Sequence, residues 1–303
     1  MTDPKKDYAA SVLARLLNHS RQNKEDFQSL LTRYVAERFL FRLGKSSFKD
    51  SYVLKGAYLL TIILEDQTYR TTKDIDFLKT GKTDTDSIRE SLEAICAVQY
   101  PEDAVAFDTS SISLQDIREQ NTYHGQRAKI RATIGKARVI LQINIGHGDT
   151  VFLGLLTKKI PSLLPMDAPH IESYPIETVI AEKLEAAVYL SLLTSRMKDF
   201  YDLYIITWAF LLNFRDLQNA VQQTFHRRNT VLPTEMPIVF SEQVYRDETK
   251  QTQWKAFTRK LRNEHSNLSL EEVIKQISRF SAPFWSQTDS GPMTWNPDTG
   301  WSG

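Results

Sequence analysis

The strongest local pattern in this sequence consists of two short segments, Val53-Leu54-Lys55-Gly56-Ala57 and, further along the chain, Thr72-Lys73-Asp74-Ile75-Asp76-Phe77. The first part predicts a strand that turns into a helix at Gly56, and the second predicts another strand over residues 75–78. Alternate side chains along a strand share a face. Asp74 and Asp76 are therefore expected on one side of the second strand, with Ile75 and Phe77 facing the core.

These residue types, in this order, indicate a site for a cation and a phosphate. Two carboxylates held close together repel each other, and a divalent cation such as Mg²⁺ or Mn²⁺ removes that repulsion. Gly56 has no Cβ, so the backbone can approach a phosphate, and the N–H groups of the following helix start can bind an anion. The ordinary alternative for Asp74 and Asp76 is a surface turn or a capped strand end.

Regular structure is also predicted on both sides of this stretch. Apolar residues at helical spacing predict two helices between residues 8 and 44, where Gly44 is a plausible stop. Further on, the patterns predict a helix over 86–98, strands over 105–107, 111–116, 126–134 and 138–145, and a turn at Gly135-Lys136 between the last two strands.

Four prolines mark a boundary after these strands: Pro161, Pro165, Pro169 and Pro175. Beyond them the sequence predicts helices over 176–193, 198–210, 214–226, 249–262 and 270–280. The predicted fold is α+β, with one lobe over 1–165 that is helical over 1–46 and sheet-bearing over 47–165. A mainly helical lobe over 166–290 and a loose tail over 291–303 complete it.

Composition limits the possible classes of protein. The 303 residues have a formal net charge of +1, so nucleic acid could be attracted only by a local basic patch. A single cysteine, Cys96, excludes an internal disulfide framework and is expected to be a small buried hydrophobe. The N-terminal residues lack a secretion signal, and no segment approaches the roughly 20 apolar residues of a membrane span. A cytoplasmic protein without a membrane partner is expected.

Two further motifs follow in order, Pro175-Ile176-Glu177-Thr178-Val179-Ile180-Ala181-Glu182-Lys183-Leu184-Glu185-Ala186 and Ser195-Arg196-Met197-Lys198-Asp199-Phe200-Tyr201-Asp202-Leu203. Together with the glycine stretch and the aspartate pair, they resemble the AbiEii/AbiGii toxin nucleotidyltransferases, which are similar to MenT-type toxins within the polymerase-beta-like superfamily. The resemblance covers about residues 52–204. The family's glycine is commonly followed by Gly or Ser, whereas this chain has Ala57, and Arg70 corresponds to a basic residue often found before the carboxylates.

The resemblance implies a nucleotidyltransferase-like mixed sheet with flanking helices, and a magnesium-dependent transfer of a nucleoside monophosphate from a nucleoside triphosphate to a macromolecular acceptor. The 3′ end of tRNA is a candidate acceptor, and a toxin of a toxin–antitoxin or abortive-infection system with a separately encoded antitoxin is implied. The implied site residues are Asp74 and Asp76 for the metal; Lys55, Gly56, Ala57 and Lys183 for the nucleotide; and Asp74, Asp76, Lys183 and Asp199 for catalysis.

The two later motifs also have ordinary interpretations. By the resemblance, Lys183 would bind the triphosphate and Asp199 would orient that lysine, because an ammonium offsets charge on the departing pyrophosphate. Alternatively, Glu182 and Lys183 form an exposed surface pair, and Asp199 and Asp202 cap a helix.

One departure concerns a third carboxylate, which many polymerase-beta-like enzymes place on a later strand. This chain has Asn144 in the matching run, and Asp149 is the nearest acid that could replace it.

Alternating Arg127, Lys129 and Arg131 predict a basic strip that could bind the acceptor, with a solvated sheet face as an equal alternative. Arg227 and Arg228 are expected on a solvated helix surface.

Two other functions remain open at this stage. An Asp-x-Asp pair also binds metal and nucleotide sugars in glycosyltransferases, although that class leaves the Lys183 and Asp199 motifs unexplained. Asn144 and Ala57 would also fit an interaction protein with a degenerate nucleotidyltransferase fold. P-loop, dinucleotide-binding, zincin and esterase motifs are absent from the sequence.

Overall fold

The computed structural model describes residues 7–64, 72–119, 123–148, 154–261, 264–286 and 293–303. The chain forms two compact units. Among the described residues, the first comprises 7–63, 72–148 and 155–173, and the second comprises Leu64, Gly154 and the residues from Tyr174 onwards. Each unit is described by itself.

The first unit contains a mixed sheet of seven strands in the order β3-β4-β5-β2-β1-β7-β6. The strands are β1 Tyr52–Lys55, β2 Asp74–Lys79, β3 Val105–Glu119, β4 Tyr123–Ile134, β5 Ala137–His147, β6 Leu156–Lys159 and β7 His170–Ser173. Strand β2 is antiparallel to β1 and parallel to β5, so the two central pairings differ in direction. The predicted α+β fold with a mixed sheet is confirmed.

The β4–β5 hairpin forms where the sequence predicts it. Ile134 pairs with Ala137, which leaves Gly135 and Lys136 as the loop. Gly135 has a φ of +56°, a conformation that glycine adopts without strain. The two predicted runs over 105–116 instead form one strand, β3, whose pairing with β4 shifts register between Asp108 and Ser113.

Four helices accompany the sheet in the described part of the first unit: α1 Tyr8–Gln22, α2 Phe27–Lys45, α3 Gly56–Ile63 and α4 Thr85–Ala97. The carboxylate of Asp26 caps α2 by accepting the Ser29 N–H at 2.8 Å. Arg42 of α2 makes a buried bidentate pair with Asp103, with distances of 2.7 and 3.1 Å. Cys96 is buried as expected, and burial raises the pKa of its thiol to about 12.

The second unit is mainly helical. Its elements are α5 Ile176–Leu190, α6 Met197–Ala209, α7 Phe214–Arg227, α8 Glu242–Arg246, α9 Glu248–Thr258 and α10 Leu270–Ser281, with short strands β8 Leu212–Asn213, β9 Thr294–Asn296 and β10 Gly300–Ser302. The five helices expected after the prolines all form.

Two expected boundaries differ from the structure. The first unit extends past residue 165 because β7 pairs with β1 and so belongs to the large sheet. Residues 293–303 are not a loose tail, since β9 and β10 form a hairpin that also pairs with β8. Trp295 is completely buried, and its Nε1 donates to the Thr207 carbonyl at 2.8 Å. Burial of a large aromatic ring outweighs the irregular composition of this segment.

Within the described ranges, no helix is both long and apolar enough to cross a membrane.

Candidate active site

Four residues of the first unit lie directly opposite one another across four neighbouring strands. Lys55 of β1 pairs with Asp76 of β2, Asp76 pairs with Asn144 of β5, and Asn144 pairs with Arg127 of β4. Opposed residues in neighbouring strands have their side chains on the same face. These four residues, here called the polar row, therefore share one face of the sheet.

A second set of opposed residues runs parallel to the polar row. Asp74 pairs with Gln142, and Gln142 pairs with Lys129. Asp74 and Asp76 are both partly exposed, while the alternating Ile75 and Phe77 are fully buried. The two aspartates lie on the same face of β2, which is the placement that their spacing predicts.

Gly56 is essential to the position of the Asp76 carboxylate. It begins α3 directly after β1 and has a φ of +69°, in the left-handed region. A Cβ added at Gly56 would stand 2.4 Å from Oδ2 of Asp76, much closer than atoms can approach. Ala57, the next residue, is buried in the first turn of α3. A residue without a side chain is thus required beside Asp76.

Lys55 extends along the same face. Its side chain is largely buried, and its Nζ lies 4.0 Å from the point where a Cβ of Gly146 would stand, two residues beyond Asn144 on β5. The ammonium therefore reaches across β2 towards β5, on the sheet face that carries Asp76.

Asn144, in the run where many polymerase-beta-like enzymes have a third carboxylate, contacts Asp76 directly. Its Nδ2 donates to Oδ1 of Asp76 at 2.9 Å, and its Oδ1 accepts from Nε of Arg127 at 2.9 Å. Arg127 is half-buried by these contacts, whereas Lys129 and Arg131 are exposed on the same strand face. Asp149 and Arg70 lie outside the described residues.

The donor set fits magnesium when a triphosphate completes it. In the described part of the chain, no group of three or more His, Cys, Asp or Glu side chains gathers to hold a metal ion. Mg²⁺ is usually bound through one or two carboxylates together with phosphate oxygens and water. Asp74 and Asp76 supply that number of carboxylates.

The second unit contains a buried charge cluster. Nζ of Lys183 on α5 donates to Oδ1 of Asp199 at 2.9 Å and to Oδ2 of Asp202 at 2.6 Å, both on α6. The Lys183 side chain is 11% exposed, so the ordinary interpretation of this lysine, an exposed surface pair with Glu182, does not describe its position.

Arg196 adds a second cation to the cluster. Its Nε lies 2.6 Å from Oδ2 of Asp199. Burial acts to raise the pKa of Asp199, but the charges of Lys183 and Arg196 outweigh it and hold that pKa below its ordinary value. Asp199 is therefore ionised at neutral pH and can hold the Lys183 ammonium in place.

The glutamates around Lys183 have a different partner. Arg228, at the end of α7, contacts Glu182 at 3.1 Å and Glu185 at 2.8 Å. The expectation of a solvated surface is wrong for Arg228, whose side chain is largely buried. Its partners lie on another helix, so sequence spacing offered no signal for this contact.

Comparison with known proteins agrees with this architecture. The family model for the nucleotidyl transferase AbiEii toxin of type IV toxin–antitoxin systems matches residues 38–277. MenT4, a nucleotidyltransferase toxin from Mycobacterium tuberculosis H37Rv, aligns over 89% of this chain and 93% of its own, with 14% identity and a TM-score of 0.53. JHP933 from Helicobacter pylori aligns over 84% of this chain and 90% of its own, with 12% identity and a TM-score of 0.41. No curated protein sequence matches the chain.

The chain shares its fold with MenT4, and the match to the family model identifies its class as nucleotidyltransferase. More particularly, the chain belongs to the nucleotidyl transferase AbiEii toxin family, because the family model covers most of its length. The resemblance drawn from the sequence motifs is confirmed.

Proposed function

We propose that this toxin transfers a nucleoside monophosphate from a nucleoside triphosphate to a hydroxyl group of an RNA acceptor, with Asp74 and Asp76 holding Mg²⁺ or Mn²⁺. The main support is the placement of the two carboxylates on one sheet face, with Gly56 directly against Asp76. The metal would polarise the phosphate oxygens when bound. The acceptor oxygen forms a bond to the α-phosphorus and its proton passes to water, while the bond to pyrophosphate breaks.

The nucleotide-binding role of the glycine turn rests on its geometry. Lys55 brings a positive charge to the face of Asp74 and Asp76, and Gly56 with Ala57 forms the beginning of α3. Backbone N–H groups at a helix start bind phosphate well. These three residues are proposed to bind the nucleotide.

Lys183 is proposed to bind the triphosphate and Asp199 to orient it. The 2.9 Å contact between Lys183 and Asp199 supports the orienting role, because an ionised carboxylate restricts an ammonium that would otherwise rotate freely. The role of Lys183 in binding the triphosphate is carried over from the family motif.

The basic strip supports an RNA acceptor. Lys129 and Arg131 are exposed on the face that also presents Asp74, so a polyanion lying there would be near the aspartates. The 3′ end of tRNA is the acceptor proposed, in the cytoplasm, and a cognate antitoxin would restrain the activity.

Labelling tests the reaction. The protein is incubated with each α-labelled nucleoside triphosphate, Mg²⁺ and either total RNA or total protein, and Asp76→Asn is compared with the exposed control Asp86→Asn. Label should enter RNA with wild type and Asp86→Asn but not with Asp76→Asn. Equal labelling by wild type and Asp76→Asn would refute the catalytic assignment.

The remaining alternative, a degenerate nucleotidyltransferase fold that acts by binding alone, has a distinct outcome. It predicts no label in any acceptor and no Mg²⁺-dependent binding of nucleotide in calorimetry.

If RNA is labelled, removal of the terminal CCA from purified tRNA distinguishes transfer to the 3′ end from transfer elsewhere.

A further inference from the structure

The polar row contains a hydrogen-bonded chain whose direction is fixed by its chemistry. Nε of Arg127 can only donate, so the Asn144 atom that faces it must be the amide oxygen. A carboxylate can only accept, so the Asn144 atom that faces Asp76 must be the amide nitrogen. These two hydrogen bonds, here called the relay, run from Arg127 through Asn144 to Asp76. The Asn144 amide can adopt only one orientation in them.

This relay determines which oxygen of Asp76 faces which partner. Oδ1 accepts from Asn144, and Oδ2 is the atom that lies against Gly56. The guanidinium of Arg127 polarises the amide, and hydrogen bonds in series strengthen one another. The carboxylate is thereby held in one rotational position beside the glycine turn.

A carboxylate at position 144 could not make both of these hydrogen bonds. It would accept from Arg127, but it has no N–H to give to Asp76, and its charge would repel Asp76. Asparagine is suited to this place because it accepts on one side and donates on the other.

We propose that Asn144 and Arg127 are positioning residues that orient Asp76 for cation and triphosphate binding, and that Arg127 acts through Asn144 instead of on the acceptor. The proposal rests on the proposed function. It removes Arg127 from the basic strip and leaves Lys129 and Arg131 as its members.

Electron paramagnetic resonance of Mn²⁺, titrated into the full-length protein with a non-hydrolysable triphosphate, tests the relay without relying on activity. Asn144→Ala and Arg127→Gln should each bind Mn²⁺ about tenfold more weakly, the effect typical of lost partners of metal ligands. Lys136→Ala, in the exposed β4–β5 loop and outside both the relay and the basic strip, should bind Mn²⁺ as wild type does. Unchanged Mn²⁺ affinity in both Asn144→Ala and Arg127→Gln would overturn the proposal.

A double substitution distinguishes action through Asn144 from direct action. If Arg127 acts through Asn144, Asn144→Ala combined with Arg127→Gln should bind Mn²⁺ no more weakly than Asn144→Ala alone. Additive losses would show that Arg127 has an independent role. Asn144→Asp should also weaken Mn²⁺ binding, and tighter binding would identify position 144 as a metal-ligand position instead.

Asp76→Asn separates this proposal from the proposed function. If Asp76→Asn binds Mn²⁺ as tightly as wild type, the cation site itself is wrong. If Asp76→Asn loses Mn²⁺ while Asn144→Ala and Arg127→Gln retain it, only the relay is wrong. Melting curves by circular dichroism show which variants remain folded, and Arg127→Gln, at a half-buried position, provides the test if Asn144→Ala unfolds.

Discussion

The polar row of the first unit and the buried charge cluster of the second unit organise charge in different ways. In the row, strand register determines the neighbours of Asp76, and both Asp74 and Asp76 are partly exposed. In the cluster, Lys183 is enclosed by two carboxylates of another helix. Strand register thus positions a site that is proposed to receive a ligand, whereas helix packing fixes a lysine by burying its counter-charges.

Removing Lys183 should have the largest effect on stability. Lys183→Met leaves Asp199 and Asp202 buried without their shared cation, which should lower the free energy of unfolding by about 3–5 kcal/mol. Urea unfolding measures the loss, with Lys275→Met as the control because its pair with Glu271 lies on the surface. A loss below about 1 kcal/mol would mean that the cluster contributes no more than a surface pair.

Gly56→Ala tests whether activity depends on the position of the Asp76 carboxylate or only on backbone strain at the glycine. The new Cβ would displace the Asp76 carboxylate, and we expect labelling of RNA to fall about 100-fold, or roughly 2.7 kcal/mol. Gly81→Ala is a matched control because Gly81 has a φ of +76° but no atom within 4 Å of an added Cβ. Both variants bear similar backbone strain. Equal labelling by Gly56→Ala and Gly81→Ala would show that activity does not depend on the position of the Asp76 carboxylate against Gly56.

The charge cluster should also respond to acid. The pKa of Asp199 lies below its ordinary value of 3.8, so the unfolded chain takes up the proton at a higher pH than the folded chain does. The stabilisation by Asp199 is thus complete above the ordinary pKa and is lost as pH falls through the lowered one. Urea unfolding followed by circular dichroism, repeated from about pH 6 to pH 3, should show a steeper decline for wild type than for Asp199→Asn. Parallel profiles would contradict this.

The smallest effect is expected for the exposed Lys129 of the basic strip. Lys129→Ala should weaken RNA binding severalfold and make the slope of log affinity against log salt shallower by about 0.7–0.9, the share of one phosphate contact. Stability should change by less than about 0.5 kcal/mol. Filter binding at several salt concentrations provides the measurement, and an unchanged slope would favour a solvated sheet face without RNA.

Sequence patterns predicted the parts of the site that lie within one element. The spacing of Asp74 and Asp76 was sufficient to place them on one face, because the period of a strand is two residues. Their link to Asn144 and Arg127 depends on β5 lying beside β2, and strand order is not encoded in any local pattern.

The same limit applies to the rest of the fold. Strands β6 and β7 have four residues each, too few to show a clear alternation of apolar residues. The family motif predicts Asp199 but not Asp202 as a partner of Lys183, and the contact of Arg228 with Glu185 depends on how α5 and α7 pack.

The distribution of one residue type gives the second unit its own optical reporter. All five tryptophans, including the completely buried Trp295, lie at or beyond position 208. Residues 1–173 contain none, so tryptophan emission follows only the unfolding of the second unit. If emission and circular dichroism change at different denaturant concentrations, the two units unfold in separate transitions, and the effect of each substitution can be assigned to its own unit.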